Sequence, residues 1–167
     1  MIYVFVISVV LIVFGLKAFL QNQRPKWFFN NSDTIQLISS IKSEYELMKE
    51  DDKNYSGKIN GFFSEFQFII PENYIHPVRL RIDLNYKPER NIKTQENSID
   101  KLRQKYPNFR WVSNAARIEL TYRYEYPKFQ DVKKCIDELL IIMQSEGFNT
   151  MSPKESKQYH KTWDSAD

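Results

Sequence analysis

The chain predicts an α+β domain behind an N-terminal transmembrane helix, with helices packed on one face of a mainly antiparallel sheet. Three observations predict it. Residues 1–20 hold a single charge, Lys17, in an otherwise apolar run. Later segments alternate apolar and polar residues with period two, as half-buried strands do. Around them, apolar residues recur three and four apart, as on amphipathic helices. After the anchor the expected order is α-β-β-α-β-β-α.

Twenty helical residues rise about 30 Å, the thickness of a bilayer's hydrocarbon core. Lys17 lies near the end of the run, where its stem can reach the headgroups. Trp27, Phe28 and Phe29 follow and suit an interfacial aromatic belt. A cleaved signal peptide would need basic residues ahead of the run, and none stands there. Lys17, Arg24 and Lys26 all follow it, so the positive-inside rule favours a single pass through a bacterial-type inner (plasma) membrane with the domain cytoplasmic. Three charges set a small bias, and the periplasmic orientation stays open. Residues 21–32 read as a juxtamembrane connector.

The domain proper is expected over residues 33–150. Asp33 and Gln36 resemble a capping box. Ile35, Ile38, Ile41, Tyr45 and Met48 then recur at helical spacing, giving a helix to about Lys49. Residues 50–58 read as a polar loop. In the first strand Phe62, Phe66, Phe68 and Ile70 share one parity, with Glu65 and Gln67 on the other. The second alternates Val78, Leu80, Ile82, Leu84 and Tyr86 with Arg79, Arg81, Asp83, Asn85 and Lys87. A short helix fits residues 98–106, stopped by Pro107, and a short strand at 109–112 turns at Ser113 and Asn114. The last strand alternates Ile118, Leu120, Tyr122, Tyr124 and Tyr126 with Arg117, Glu119, Thr121, Arg123 and Glu125. A final helix over 127–146 starts at Pro127 and ends at Gly147, the favoured residues for those positions. Phe129, Val132, Ile136, Leu139, Leu140 and Met143 form its stripe. Residues 151–167 read as a polar, mobile tail.

Composition excludes several functions. Outside residues 1–20 there are 23 basic and 21 acidic side chains, a net of +2, so no broad positive field invites nucleic acid. Four glycines, at 15, 57, 61 and 147, cannot make a phosphate-cradling loop of either standard pattern. One cysteine, Cys135, permits neither an intrachain disulfide nor a multi-cysteine zinc site.

Few residues suggest chemistry. Asp52, Asn54, Ser56, Gly57 and Ile59 match an EF-hand loop at positions 1, 3, 5, 6 and 8, but position 12 is Phe63 where a bidentate Glu belongs. Calcium is therefore not expected there. His76 stands alone beside Pro77, without an orienting group or fellow ligand. Cys135 reads as core filler. The tyrosine series 122, 124 and 126 lies on the apolar parity, so bases have no open stacking platform. Arg79, Arg81, Arg117 and Arg123 share the polar parity with Glu119, Asp83 and Glu125, and pair across the sheet if their strands are neighbours.

The expected function is a membrane-anchored, non-enzymatic protein-binding domain, of which an immunity protein or a small envelope-machine subunit would be examples. Arg79, Arg81, Arg117, Arg123 and Glu119 would meet the partner. No catalytic residue, cofactor, metal or nucleic acid is expected. The alternative is a small-molecule or lipid-binding sensor that uses the tyrosine parity, and an enzyme of unknown class ranks third.

Overall fold

The computed structural model describes residues 2–71, 76–88, 92–122, 127–156 and 158, with backbone alone at 2–11, 18, 20–22, 92, 93 and 95. It is α+β, with one six-stranded antiparallel sheet. The elements are α1 (Ile2–Phe29), α2 (Ser32–Tyr45), β1 (Met48–Lys49), β2 (Asn54–Ile59), β3 (Phe62–Ile69), β4 (Val78–Asn85), α3 (Ile92–Lys105), β5 (Arg110–Val112), β6 (Ala115–Tyr122) and α4 (Phe129–Ser145). The strand order is β1-β2-β3-β4-β6-β5.

Helix α1 does not give way to a connector at residue 21 but runs on to Phe29 with Pro25 inside it. Proline removes one helical hydrogen bond, and tertiary contacts offset that loss. Phe28 is buried, and both Phe28 and Phe29 lie against the Phe68 ring. The Arg24 guanidinium donates to the carbonyls of Pro71 at 2.6 Å and His76 at 2.8 Å. Among the described residues no helix is long and apolar enough to cross a membrane. The side chains of residues 1–11, half of the run that carried that expectation, lie outside them.

Helix α2 is capped two residues earlier than the expected Asp33: the Asn31 side chain accepts from the backbone amides of Asp33 and Thr34. Its buried stripe is Thr34, Leu37, Ile41 and Tyr45, so Ile35 faces outward and Met48 belongs to β1. The supposed polar loop at 50–58 contains β2, which pairs with β3 around Asn60 and Gly61. Both have positive φ, 48° and 87°, as an Asn-Gly hairpin turn requires. Helix α3 begins at Ile92, six residues before the expected 98.

One parity of each long strand faces the helices. Leu80, Ile82 and Leu84 are fully buried, opposite Leu120, Ile118 and Ala116 on one side and Phe68, Phe66 and Ser64 on the other. Helix α4 lays Val132, Ile136, Leu139 and Met143 on this face, and Tyr45 of α2 stacks on Phe66. Leu120 and Phe129 pack at the core's margin, only partly buried.

The expected tail is held in place up to Ser156. Thr150 bridges to Tyr86, Met151 and Ser156 are buried, and Lys87 pairs with Glu155. Phe148 lies against Tyr86 and Trp111, closing the β5 end of the core. Of the tail, residue 157 and residues 159–167 lie outside the described residues.

Leu80→Ala should destabilise the chain by about 2–5 kcal/mol through a core cavity. Ile141→Ala, at a position 66% exposed on α4, should stay within about 0.5 kcal/mol. Urea unfolding of the detergent-solubilised chain, followed by circular dichroism, measures both.

Candidate functional site

The opposite parity forms the polar sheet face. In-register pairing of β4 with β6 sets Arg79 opposite Thr121, Arg81 opposite Glu119 and Asp83 opposite Arg117. The β3 ladder adds Gln67 beside Arg81 and Glu65 beside Asp83, and β2 adds Ser56 beside Glu65. The buried residues of α2, α3 and α4 join one core cluster on the other face.

The charges hold one another. Arg117 donates Nε to Asp83 Oδ1 at 2.7 Å and Nη2 to Oδ2 at 2.9 Å, a bidentate pair. That bond is the main reason the Arg117 guanidinium titrates above its usual range, with burial opposing it. Arg81 reaches Gln67 Oε1 and Glu119 Oε1, each at 3.4 Å, and Arg110 donates to Glu119 Oε2 at 3.1 Å. Burial alone would raise the Glu119 carboxyl. The Arg110 hydrogen bond and the charges of Arg110, Arg81 and Arg79 outweigh it, so this carboxyl titrates below its usual 4.5. Arg81 Nε is buried without a partner, and Arg79 makes no ion pair among the described residues.

Between the β1–β2 loop and β4 the face dips into a cavity of about 180 Å³, lined by Glu50, Ser56, Glu65, Gln67, Arg81 and Asp83 among others. Ser56 Oγ donates to Glu50, and Asn85 Nδ2 donates to Glu65 Oε2 at 3.1 Å. The face thus has two ends: carboxylates around the cavity, and guanidiniums around Glu119.

Four of the five residues expected to meet a partner therefore share one surface: Arg79, Arg81, Arg117 and Glu119. Arg123 lies outside the described residues, as do Tyr124, Glu125 and Tyr126. Three of the four are engaged in ion pairs, Arg117 with Asp83, and Arg81 and Glu119 with each other, the cross-sheet pairing expected if these strands are neighbours. Sequence reasoning missed Glu50, Ser56 and Arg110. For Ser56 the signal was Asn60-Gly61 between Ile59 and Phe62, which marks a hairpin and extends the parity back through Lys58, Ser56 and Asn54.

The other candidates have the following surroundings. Ser56 and Gly57 belong to β2, the Asp52 carboxylate pairs with Lys49 at 2.6 Å, and Asp51 accepts from the amides of Lys53 and Asn54. An EF-hand needs those ligand positions on a coiling loop, which a strand is not. Among the described residues no three His, Cys, Asp or Glu side chains converge as metal ligands. His76 offers its backbone carbonyl to Arg24. Burial raises the pKa of the half-buried Cys135 thiol, disfavouring a thiolate. The Tyr122 hydroxyl is buried without a partner, and burial pushes its pKa up as well. No family model, curated protein or solved structure matches this chain.

Asp83→Asn should cost about 1–3 kcal/mol by leaving the Arg117 guanidinium partly buried without its carboxylate. Glu119 predicts a pH dependence. Its folded pKa lies below the ordinary 4.5, so its contribution is complete above that value and is lost as pH falls through the folded pKa. Glu119→Gln should therefore be less stable than the wild type at neutral pH and converge with it in acid. Urea midpoints across the pH range test this.

Proposed function

We propose that this chain is a membrane-anchored, non-enzymatic protein-binding domain that docks its partner through the polar face of the sheet. The observation that carries the reading is the fixed lattice of charge on that face. Asp83 and Glu119 hold Arg117 and Arg81 in place, so these groups lose little freedom on binding. Arg79, without an ion pair among the described residues, and Arg110, whose side chain is 66% exposed, extend the basic end outward. That end suits a partner's carboxylates. An immunity protein or a small envelope-machine subunit fits such a domain.

The anchor in this proposal is the apolar half of α1. Ile12, Val13, Phe14, Leu16 and Phe19 are each more than half exposed, and lipid would cover them. Lys17, Arg24 and Lys26 on the domain side favour a cytoplasmic placement.

A photo-crosslinking residue at position 79 or 121 should yield a discrete protein adduct in cells, while one at 141 on the outer side of α4 should not. Adducts from 141 alone would overturn the docking face. Reversing Arg79 and Arg110 to Glu should leave circular dichroism unchanged and weaken affinity for the crosslinked partner by about tenfold or more. Alkaline carbonate should leave the full chain in the membrane pellet, and protease protection in intact spheroplasts should place the domain inside.

A further inference from the structure

A second cavity, of about 580 Å³, lies between the end of α1, the exposed side of α2 and the β1–β2 loop. Four lysines line it, Lys26, Lys42, Lys49 and Lys53, with one acid, Asp52. Asp52 is taken by Lys49 at 2.6 Å. Asp51 nearby is turned to the backbone amides of Lys53 and Asn54. Lys26, Lys42 and Lys53 make no ion pair among the described residues. Phe29, Ile35 and Ile38 contribute an apolar part of the lining. Ile35 is 54% exposed, whereas Leu37, Ile41 and Tyr45 of the same helix are buried.

We infer that this cavity binds an anionic phospholipid, its phosphate among the lysines and its glycerol and upper acyl segment against the apolar part of the lining. Charge sets the sign of the ligand, since four lysines against one carboxylate leave the lining with a net charge of +3. The volume and the apolar lining set its kind. A bare phosphate needs neither, whereas cavities of about 300–1,000 Å³ enclose whole small molecules. Position agrees. Lys26 follows the last residue of the apolar run by six helical residues, about 9 Å, which brings it to the outer part of the headgroup layer when residues 1–20 cross the hydrocarbon. Trp27, 52% exposed, stands beside it, at a depth that suits tryptophan. The inference rests on the anchor reading above. It adds that the domain is held down on the bilayer by lipid as well as by its helix.

The test is native mass spectrometry of the full chain released from neutral detergent, with phosphatidylglycerol or phosphatidylcholine added. The wild type should retain phosphatidylglycerol about tenfold better than phosphatidylcholine, and millimolar inorganic phosphate should not displace it. Lys42→Glu with Lys53→Glu should abolish the preference. Lys101→Glu with Lys134→Glu, the same change of charge on α3 and α4, should keep it. Equal retention of the two lipids, an unchanged preference in the cavity variant, loss of preference in the control variant or displacement by phosphate would each overturn the inference. Carbonate extraction of the same chain separates the two readings. A chain that washes off overturns the anchor, and one that stays without discriminating between the lipids overturns the lipid site alone.

Discussion

The register between β4 and β6 is the constraint on which the rest of the structure depends. Leu80 opposite Leu120 and Ile82 opposite Ile118 form the middle of the core, and the same ladder sets Arg81 opposite Glu119 and Asp83 opposite Arg117. A slip of one residue would exchange the faces. Arginine would then lie beneath α4, and leucine would face outward. Apolar packing and charge pairing thus select one alignment from opposite sides of the sheet. This matters because no short turn joins these strands: α3 and β5 intervene, so the pairing is not imposed locally and must be won by the side chains.

Where a segment's pattern was set by burial on one side only, the sequence was readable. The alternation in β4, that in β6 as far as Tyr122, and the stripe of α4 appear in the structure as expected, because one side of each meets the core and the other does not. Segments governed by other physics were not readable in that way. Residues 54–59 carry Tyr55 and Ile59 on the buried parity, but Gly57 stands between them, and the gap hides the period. The glycine is there for space. A Cβ on it would come within 2.6 Å of Leu47 Cδ2, where the chain leaving α2 crosses the strand. Of the polar face, the arginines and their acids were visible as a shared parity. That they satisfy one another was legible only on the condition that their strands are neighbours, which β4 and β6 are.

The end of α1 is the other place where tertiary contacts overrode local preference. Residues 21–32 read as a connector, yet the helix continues through Pro25 into a seam of Phe28, Phe29 and Phe68. Arg24 closes the seam by donating to two carbonyls on either side of the connection from β3 to β4. Aromatic burial and a charged donor on backbone acceptors are together worth more than the one bond that proline removes. The last turns of the helix are thereby part of the same packed unit as the sheet.

The two outermost strands are short: β1 has two residues and β5 has three. Each leaves only a few backbone donors and acceptors unpaired, and at β1 the Lys49–Asp52 pair stands beside them. Recognition by strand addition draws its affinity from a long row of such groups, and so does edge-to-edge aggregation. Neither outermost strand is long enough to be a template for either. The edge of β6 is longer: β5 pairs only with Ala115–Arg117, which leaves Ile118–Tyr122 without a strand partner on that side among the described residues. An extended segment that joined this sheet would pair with those five residues of β6 rather than with β1 or β5.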